Sequence, residues 1–193
     1  MRRICLFCGA SSGRSPIFNE AAAEFGRALA SRGQGLVFGG GRVGLMGVAA
    51  DAALAAGGDV IGVIPRALCD LEVAHTGLDD LRVVESMHER KQLMHNLSDG
   101  FVALPGGHGT LDEVFETITW AQLGYHTKPV GLLNLEGFFD PLLAMLDRSH
   151  EEGFIPPRMR ELWLVEARVP ALLERLENYQ APVAARWLGP GDP

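Results

Sequence analysis

Glycines, one arginine and one glutamate carry the chemistry open to this sequence. The glycines gather at Gly9-Ala-Ser-Ser-Gly13, Gly39-Gly-Gly-Arg-Val-Gly44 and Gly106-Gly-His-Gly109, each between a short apolar run and a helical pattern. A helix start offers unpaired N–H groups and a partial positive charge, which stabilise an anion such as phosphate. Glycine lets the main chain approach closely and adopt φ > 0. One such loop is ordinary turn chemistry; three at one edge of a sheet are better explained as a phosphate site. Residues 39–44 also match G-x-G-x-x-G, yet they follow the second apolar run, not the first. The next strand ends in Pro65-Arg66, without the acidic residue a dinucleotide ribose needs. No Gly-Lys-Ser/Thr occurs, which removes a Walker A loop.

The arginine is Arg90. In a helix over 86–97, Met87, Arg90, Met94 and Leu97 recur at spacings of 3, 4 and 3, which puts Arg90 on the apolar face. A guanidinium there must be paired. Its partner is either an internal carboxylate or a ligand phosphate or developing charge, which suits a planar bidentate donor. Lys91 follows at the edge of the stripe. In the next helix, 111–123, Leu111, Val114, Phe115, Ile118 and Ala121 make the expected core face, with Glu113, Glu116, Trp120 and Leu123 opposite. A Trp and a Leu on a face that would otherwise be wet predict that another subunit covers it. Glu113 then sits in a cleft one turn from the third glycine loop; its blander role is a helix-start acid favoured by the macrodipole.

Histidines 75, 88, 95, 108, 126 and 150 form no ligand cluster, and His88 and His95 are two turns apart, so no metal is expected. Cys5 and Cys8 make a C-x-x-C inside a strand pattern, where positions i and i+3 point to opposite faces, so they read as structural. With Cys69 they fit a reducing, cytoplasmic setting. The apolar run at the start has no small-residue cleavage site, so a secretory signal is not expected.

The elements that must position these groups alternate from start to finish. Strands are predicted at 3–8, 35–38, 59–64, 81–84, 100–104, 129–133 and 162–165, and helices at 17–31, 45–56, 86–97, 111–123, 139–151 and 170–178. Such alternation implies right-handed crossovers and a doubly wound parallel sheet flanked by helices, an α/β fold. The strands are continuous apolar runs, as burial on both faces requires. Ligands then sit outside the carboxyl ends of the strands. A single domain is expected over 1–180, with a Pro-rich tail at 181–193. The 193 residues are 47% hydrophobic and 21% charged, an ordinary globular composition. The net charge of −7 opposes nonspecific nucleic-acid binding, and no apolar stretch reaches the ~20 residues of a membrane span.

Three segments together, Gly39-Gly-Gly-Arg-Val-Gly-Leu-Met-Gly47, Ser86-Met-His-Glu-Arg-Lys91 and Pro105-Gly-Gly-His-Gly-Thr-Leu-Asp-Glu113, resemble the LOG (Lonely guy) family. Its members are cytokinin riboside 5′-monophosphate phosphoribohydrolases. The resemblance runs from Cys8 to about Pro156 and implies a Rossmann-like homodimer with active sites at the subunit interface. It also implies that Arg90 and Glu113 are the catalytic pair. Glu72, Lys91, Gly106, Gly107, His108, Gly109, Thr110, Leu111, Asp112 and Thr119 fall at substrate-contacting positions. His108 departs from the pattern, since many relatives carry Tyr there. The implied reaction is hydrolysis of the N-glycosidic bond of an N6-modified adenosine 5′-monophosphate, without a cofactor. An AMP nucleosidase of broader specificity and a nonenzymatic nucleotide-binding protein are the alternatives. The label "lysine decarboxylase" attached to the family predicts pyridoxal phosphate on a lysine, but the chain has only Lys91 and Lys128, neither in a recognisable pocket for it.

Overall fold

The computed structural model describes residues 1–69, 71 and 73–182. Its strands are β1 (Arg3–Phe7), β2 (Gly35–Phe38), β3 (Val60–Pro65), β4 (Asp80–Val84), β5 (Gly100–Ala103), β6 (Val130–Leu133) and β7 (Trp163–Glu166). They form one sheet in the order β4-β3-β2-β1-β5-β6-β7, with every pairing parallel. The helices are α1 (Pro16–Ser31), α2 (Gly44–Ala55), α3 (Arg66–Cys69), α4 (Met87–Leu97), α5 (His108–Leu123), α6 (Asp140–Glu151) and α7 (Val169–Glu177).

Burial explains why the apolar runs became strands. Strands β2, β3, β5 and β6 are buried throughout, whereas the edge strands β4 and β7 are largely half-exposed. Side chains alternate between two cores. Ile4, Leu6 and Cys8 join one with α1, α2 and α7; Cys5 and Phe7 join the other with α4 and α5. The two cysteines thus lie on opposite sides of the sheet, as their spacing predicts. Helices α1 and α2 pack closely because Gly26 has no side chain: a Cβ there would lie 2.2 Å from the Ala49 carbonyl oxygen.

The chain moves outward from β1 to β4, then returns to place β5 on the other side of β1. That reversal opens a crevice at the carboxyl ends of β1 and β5. Two expectations change here. Helix α5 begins at His108, three residues before the predicted 111, so Gly109 and Thr110 belong to its first turn. Its buried face is Thr110, Val114, Thr117, Ile118 and Ala121, whereas Phe115, expected in the core, is 36% exposed. Trp120 turns partly inward, its ring 5.0 Å from that of His95. The helix tilts its small β-branched threonines onto the sheet and leaves Phe115, Thr119 and Leu123 outside. Residues 183–193 of the Pro-rich tail lie outside the described residues.

Candidate active site

A cavity of about 590 Å³ occupies the crevice. Its floor is the first glycine loop, residues 9–13, pinned from both sides. The Gly9 amide donates to the Pro105 carbonyl at 3.1 Å, and the Gly9 carbonyl accepts from the Leu45 amide at 3.0 Å. Gly44 makes this possible: at φ +59°, a Cβ would lie 2.3 Å from the Ala10 carbonyl carbon.

One wall is the start of α5. Gly107 is its N-cap, and among the described residues no side chain caps the first turn. A Cβ on Gly107 or Gly109 would meet nothing within 4 Å, so both face open space. Gly106 differs, because its Cβ would strike the buried Thr110 hydroxyl at 2.1 Å. The result is an uncapped helix end beside a cavity, a geometry made for an anion. His108 is exposed and also lines the cavity.

The opposite side carries Arg90. A capping box starts α4: Ser86 Oγ accepts from the Glu89 amide at 3.1 Å, and Glu89 Oε2 accepts from the Ser86 amide at 3.3 Å. This sets the rotation of the first turn and sends Arg90 inward. Among the described residues its guanidinium is not held by the internal carboxylate that was one of its two expected partners. Instead, Nε donates to the Val63 carbonyl and Nη2 to the Gly39 carbonyl, each at 3.1 Å. Carbonyls are neutral, so these two bonds do not cancel the positive charge that Arg90 brings to the cavity.

Glu113 stands between these parts, partly buried and lining the cavity. Burial pushes its carboxyl up to about 7, against the pull of the Arg90 charge; Asp112 adds to the rise and Lys91 opposes it. An acid that titrates near neutrality can hold or release a proton under working conditions. Burial, and then the Glu113 charge, push the thiols of Cys5 and Cys8 up, so both stay protonated and poorly nucleophilic.

Arg90, Glu113 and Gly106 to Thr110 therefore come together, whereas Lys91, Leu111, Asp112 and Thr119 do not line the cavity. Lys91 Nζ bonds to Asp112 at 3.2 Å and Glu116 at 2.9 Å, tying α4 to α5. Burial works to lower its pKa, but those two carboxylates outweigh it and raise it. Leu111 packs against the core, and Asp112 and Thr119 are exposed. Glu72 lies outside the described residues. The glycines at 39–44 are packed beneath the site; what reaches the cavity is the first turn of α2, Leu45 and Met46.

Sequence reasoning missed Phe18, Leu45, Met46 and Phe138 as cavity residues. Phe18 and Phe138 meet edge to face, centroids 6.0 Å apart, on the cavity wall. The tandem Phe138-Phe139 after β6 was a usable signal, since two adjacent aromatics cannot both enter one core; Phe139 is buried and Phe138 is 41% exposed.

No group of His, Cys, Asp and Glu among the described residues could hold a metal ion. No helix among them is long and apolar enough to cross a membrane. Neither lysine lines the cavity: Lys128 Nζ donates to the His95 carbonyl at 2.8 Å.

Residues 46–176 match the family described as possible lysine decarboxylase. A probable cytokinin riboside 5′-monophosphate phosphoribohydrolase from Oryza sativa subsp. japonica is 52% identical over 178 residues, which cover 92% of this chain and 78% of that one. A cytokinin riboside 5′-monophosphate phosphoribohydrolase from Arabidopsis thaliana is 47% identical, over 92% of this chain and 83% of the relative. Among solved structures, the molybdenum cofactor binding protein of Rippkaea orientalis superposes with a TM-score of 0.70 at 22% identity, covering 92% of this chain and 97% of that one. The carrier protein for the same cofactor from Chlamydomonas reinhardtii gives 0.69 at 24% identity, over 92% and 96%. Those two likenesses show the fold. The sequence relatives and the matched family show that the chain belongs to the LOG family, here on a Rossmann-like α/β sheet.

Proposed function

We propose that this chain hydrolyses the N-glycosidic bond of an N6-modified adenosine 5′-monophosphate, releasing the free base and ribose 5-phosphate. The observation that carries the reading is Glu113, a carboxyl raised to about 7, placed between an uncapped helix end and an unneutralised arginine. The names of the sequence relatives supply the substrate class.

The amides of His108, Gly109 and Thr110 take the phosphate and fix the ribose, so that its anomeric carbon lies near Glu113. Ionised Glu113 accepts a proton from the attacking water and faces the positive charge of an oxocarbenium-like sugar. The water oxygen bonds to the anomeric carbon as the bond to the base breaks. The electron pair leaves with the base, which a proton then neutralises. Arg90 orients the sugar phosphate or the carboxylate.

The reading includes a homodimer with the site at its interface. Phe115, Thr119 and Leu123 form an outward stripe on α5, with Met87 of α4 also 43% exposed. On this reading the stripe meets a second copy, and Thr119, Asp112 and Lys91 reach the substrate there. Glu72 is assigned to the same substrate by the family pattern. Free Cys5, Cys8 and Cys69 fit a cytoplasmic location.

The test is incubation with AMP and with isopentenyladenosine monophosphate, measuring base and ribose 5-phosphate by HPLC. Glu113→Gln is expected to bind nucleotide yet lose base release by at least ~100-fold. For the wild type, kcat/KM rises with pH through about 7 and levels off above it, because Glu113 must be ionised to act as base. An unchanged rate in the variant sinks the assignment; binding without turnover by the wild type favours a carrier.

A further inference from the structure

Arg90 reaches the cavity across the carboxyl ends of β2 and β3, and its place depends on a residue with no side chain. A Cβ built on Gly39 falls 1.8 Å from Arg90 Nη2 and 2.9 Å from Cζ. The next nearest atom is Met46 Sδ, at 3.3 Å. Gly39 is not among the glycines with positive φ, so its backbone is one that alanine adopts without strain. Conformation therefore does not explain the glycine. Space does, and the space is filled by the Arg90 head group.

The obstructing atoms are the tip of a flexible side chain. The fold can accommodate a methyl group at 39 by letting the guanidinium swing away. That movement breaks the bond to the Gly39 carbonyl and carries the charge off its seat. We propose that Gly39 is a positioning residue for catalysis: its missing side chain seats the Arg90 guanidinium beside Glu113. This rests on the hydrolase reading above, in which Arg90 and Glu113 act together.

Because the Arg90 charge draws the Glu113 carboxyl downward, displacing it lets that carboxyl rise further. The other groups around Glu113 are Lys91 on α4, Asp112 and Glu116 on α5, Cys5 and Cys8 at β1, and His108 beside the cavity. The nearest contacts of a methyl group at 39 are with Arg90 and Met46, neither of which is among these groups.

The experiment compares Gly39→Ala, Arg90→Ala and the double variant by base release from AMP and isopentenyladenosine monophosphate across pH, with thermal melts. Gly39→Ala is expected to lower kcat/KM on the order of 100-fold, the loss that an ångström-scale misplacement brings. The acid limb of its pH profile moves upward, while its melting temperature stays near wild type. In the Arg90→Ala background the same substitution lowers the rate no further, since the two losses are one. Should Gly39→Ala melt early, Arg90→Ala is expected to restore stability by vacating the space; failure to do so overturns the steric argument. A wild-type rate in Gly39→Ala, an unmoved acid limb, or a full additional loss in the double variant also overturns the proposal. Absence of base release by the wild type sinks the hydrolase reading, and this inference with it.

Discussion

Loops 39–44 and 106–109 hold equivalent places, each after a parallel strand and before a helix, yet glycine serves opposite ends in them. In the first, glycine admits other protein atoms. Gly40, at φ +70°, would put a Cβ 3.1 Å from Ile64 and 3.2 Å from Leu81, and Gly44 would strike the main chain of Ala10. In the second, Gly107 and Gly109 have nothing within 4 Å of a Cβ, and Gly107 sits at φ −98°, ψ −151°, extended backbone open to any residue. Neither strain nor crowding by the protein explains those two glycines. On the proposed reading, room for a ligand does. A glycine-rich loop is thus not a site by itself; what decides is whether the space it opens is filled from inside the fold.

Substitutions at the two loops would break this comparison if it is wrong. The largest effect is expected from Gly44→Ala, which adds a positive-φ penalty to a backbone clash and should cost about 3 kcal/mol or more of folding stability; urea denaturation measures it. Gly107→Val should cost only the roughly 1 kcal/mol of a poorer N-cap but raise KM for the nucleotide by roughly 10- to 100-fold, about 1.4–2.7 kcal/mol of lost phosphate binding. A stability loss at 107 as large as that at 44, or none at 44, would reverse the assignment.

A smaller difference sharpens the contrast by following the acid that the open loop exposes. Glu113 has a folded pKa of about 7, above its ordinary 4.5. The folded state therefore binds the proton more tightly, and Glu113 lowers stability progressively as pH rises from about 4.5 to 7. Glu113→Gln should then be more stable than wild type by at most about 3 kcal/mol at pH 8 and show no gain below pH 4.5. Denaturant midpoints at the two pH values test this. Asp112→Asn should matter least, under about 1 kcal/mol, since its ion pair with Lys91 is exposed on the Asp side and Glu116 remains to hold the lysine.

Strand and helix periodicity placed most elements to within a residue or so, because burial on both faces writes a continuous apolar run that is visible locally. Arg90 was also legible, as a charge on an apolar helix face, whereas Glu113 was singled out by its place one turn from the third glycine loop and by the family resemblance. Phe115 was misplaced because helix spacing alone cannot say how a helix is rolled against its sheet. Small Thr110 and Thr117 took the positions facing the strands. Phe18, Met46 and Phe138 were missed because apolar side chains on a cavity wall carry the same signature as core.

By itself, the sequence determined the alternating order of elements, the parallel sheet and the three turns before helices, since each follows from short-range pattern and backbone chemistry. Only the tertiary structure decided which turn stays open, and what holds Arg90, whose carbonyl partner at Gly39 is 51 residues away. It also decided that Glu113 titrates near neutrality, because desolvation comes from groups that only folding brings near. Local rules govern how the chain bends; occupied space and lost water depend on distant neighbours.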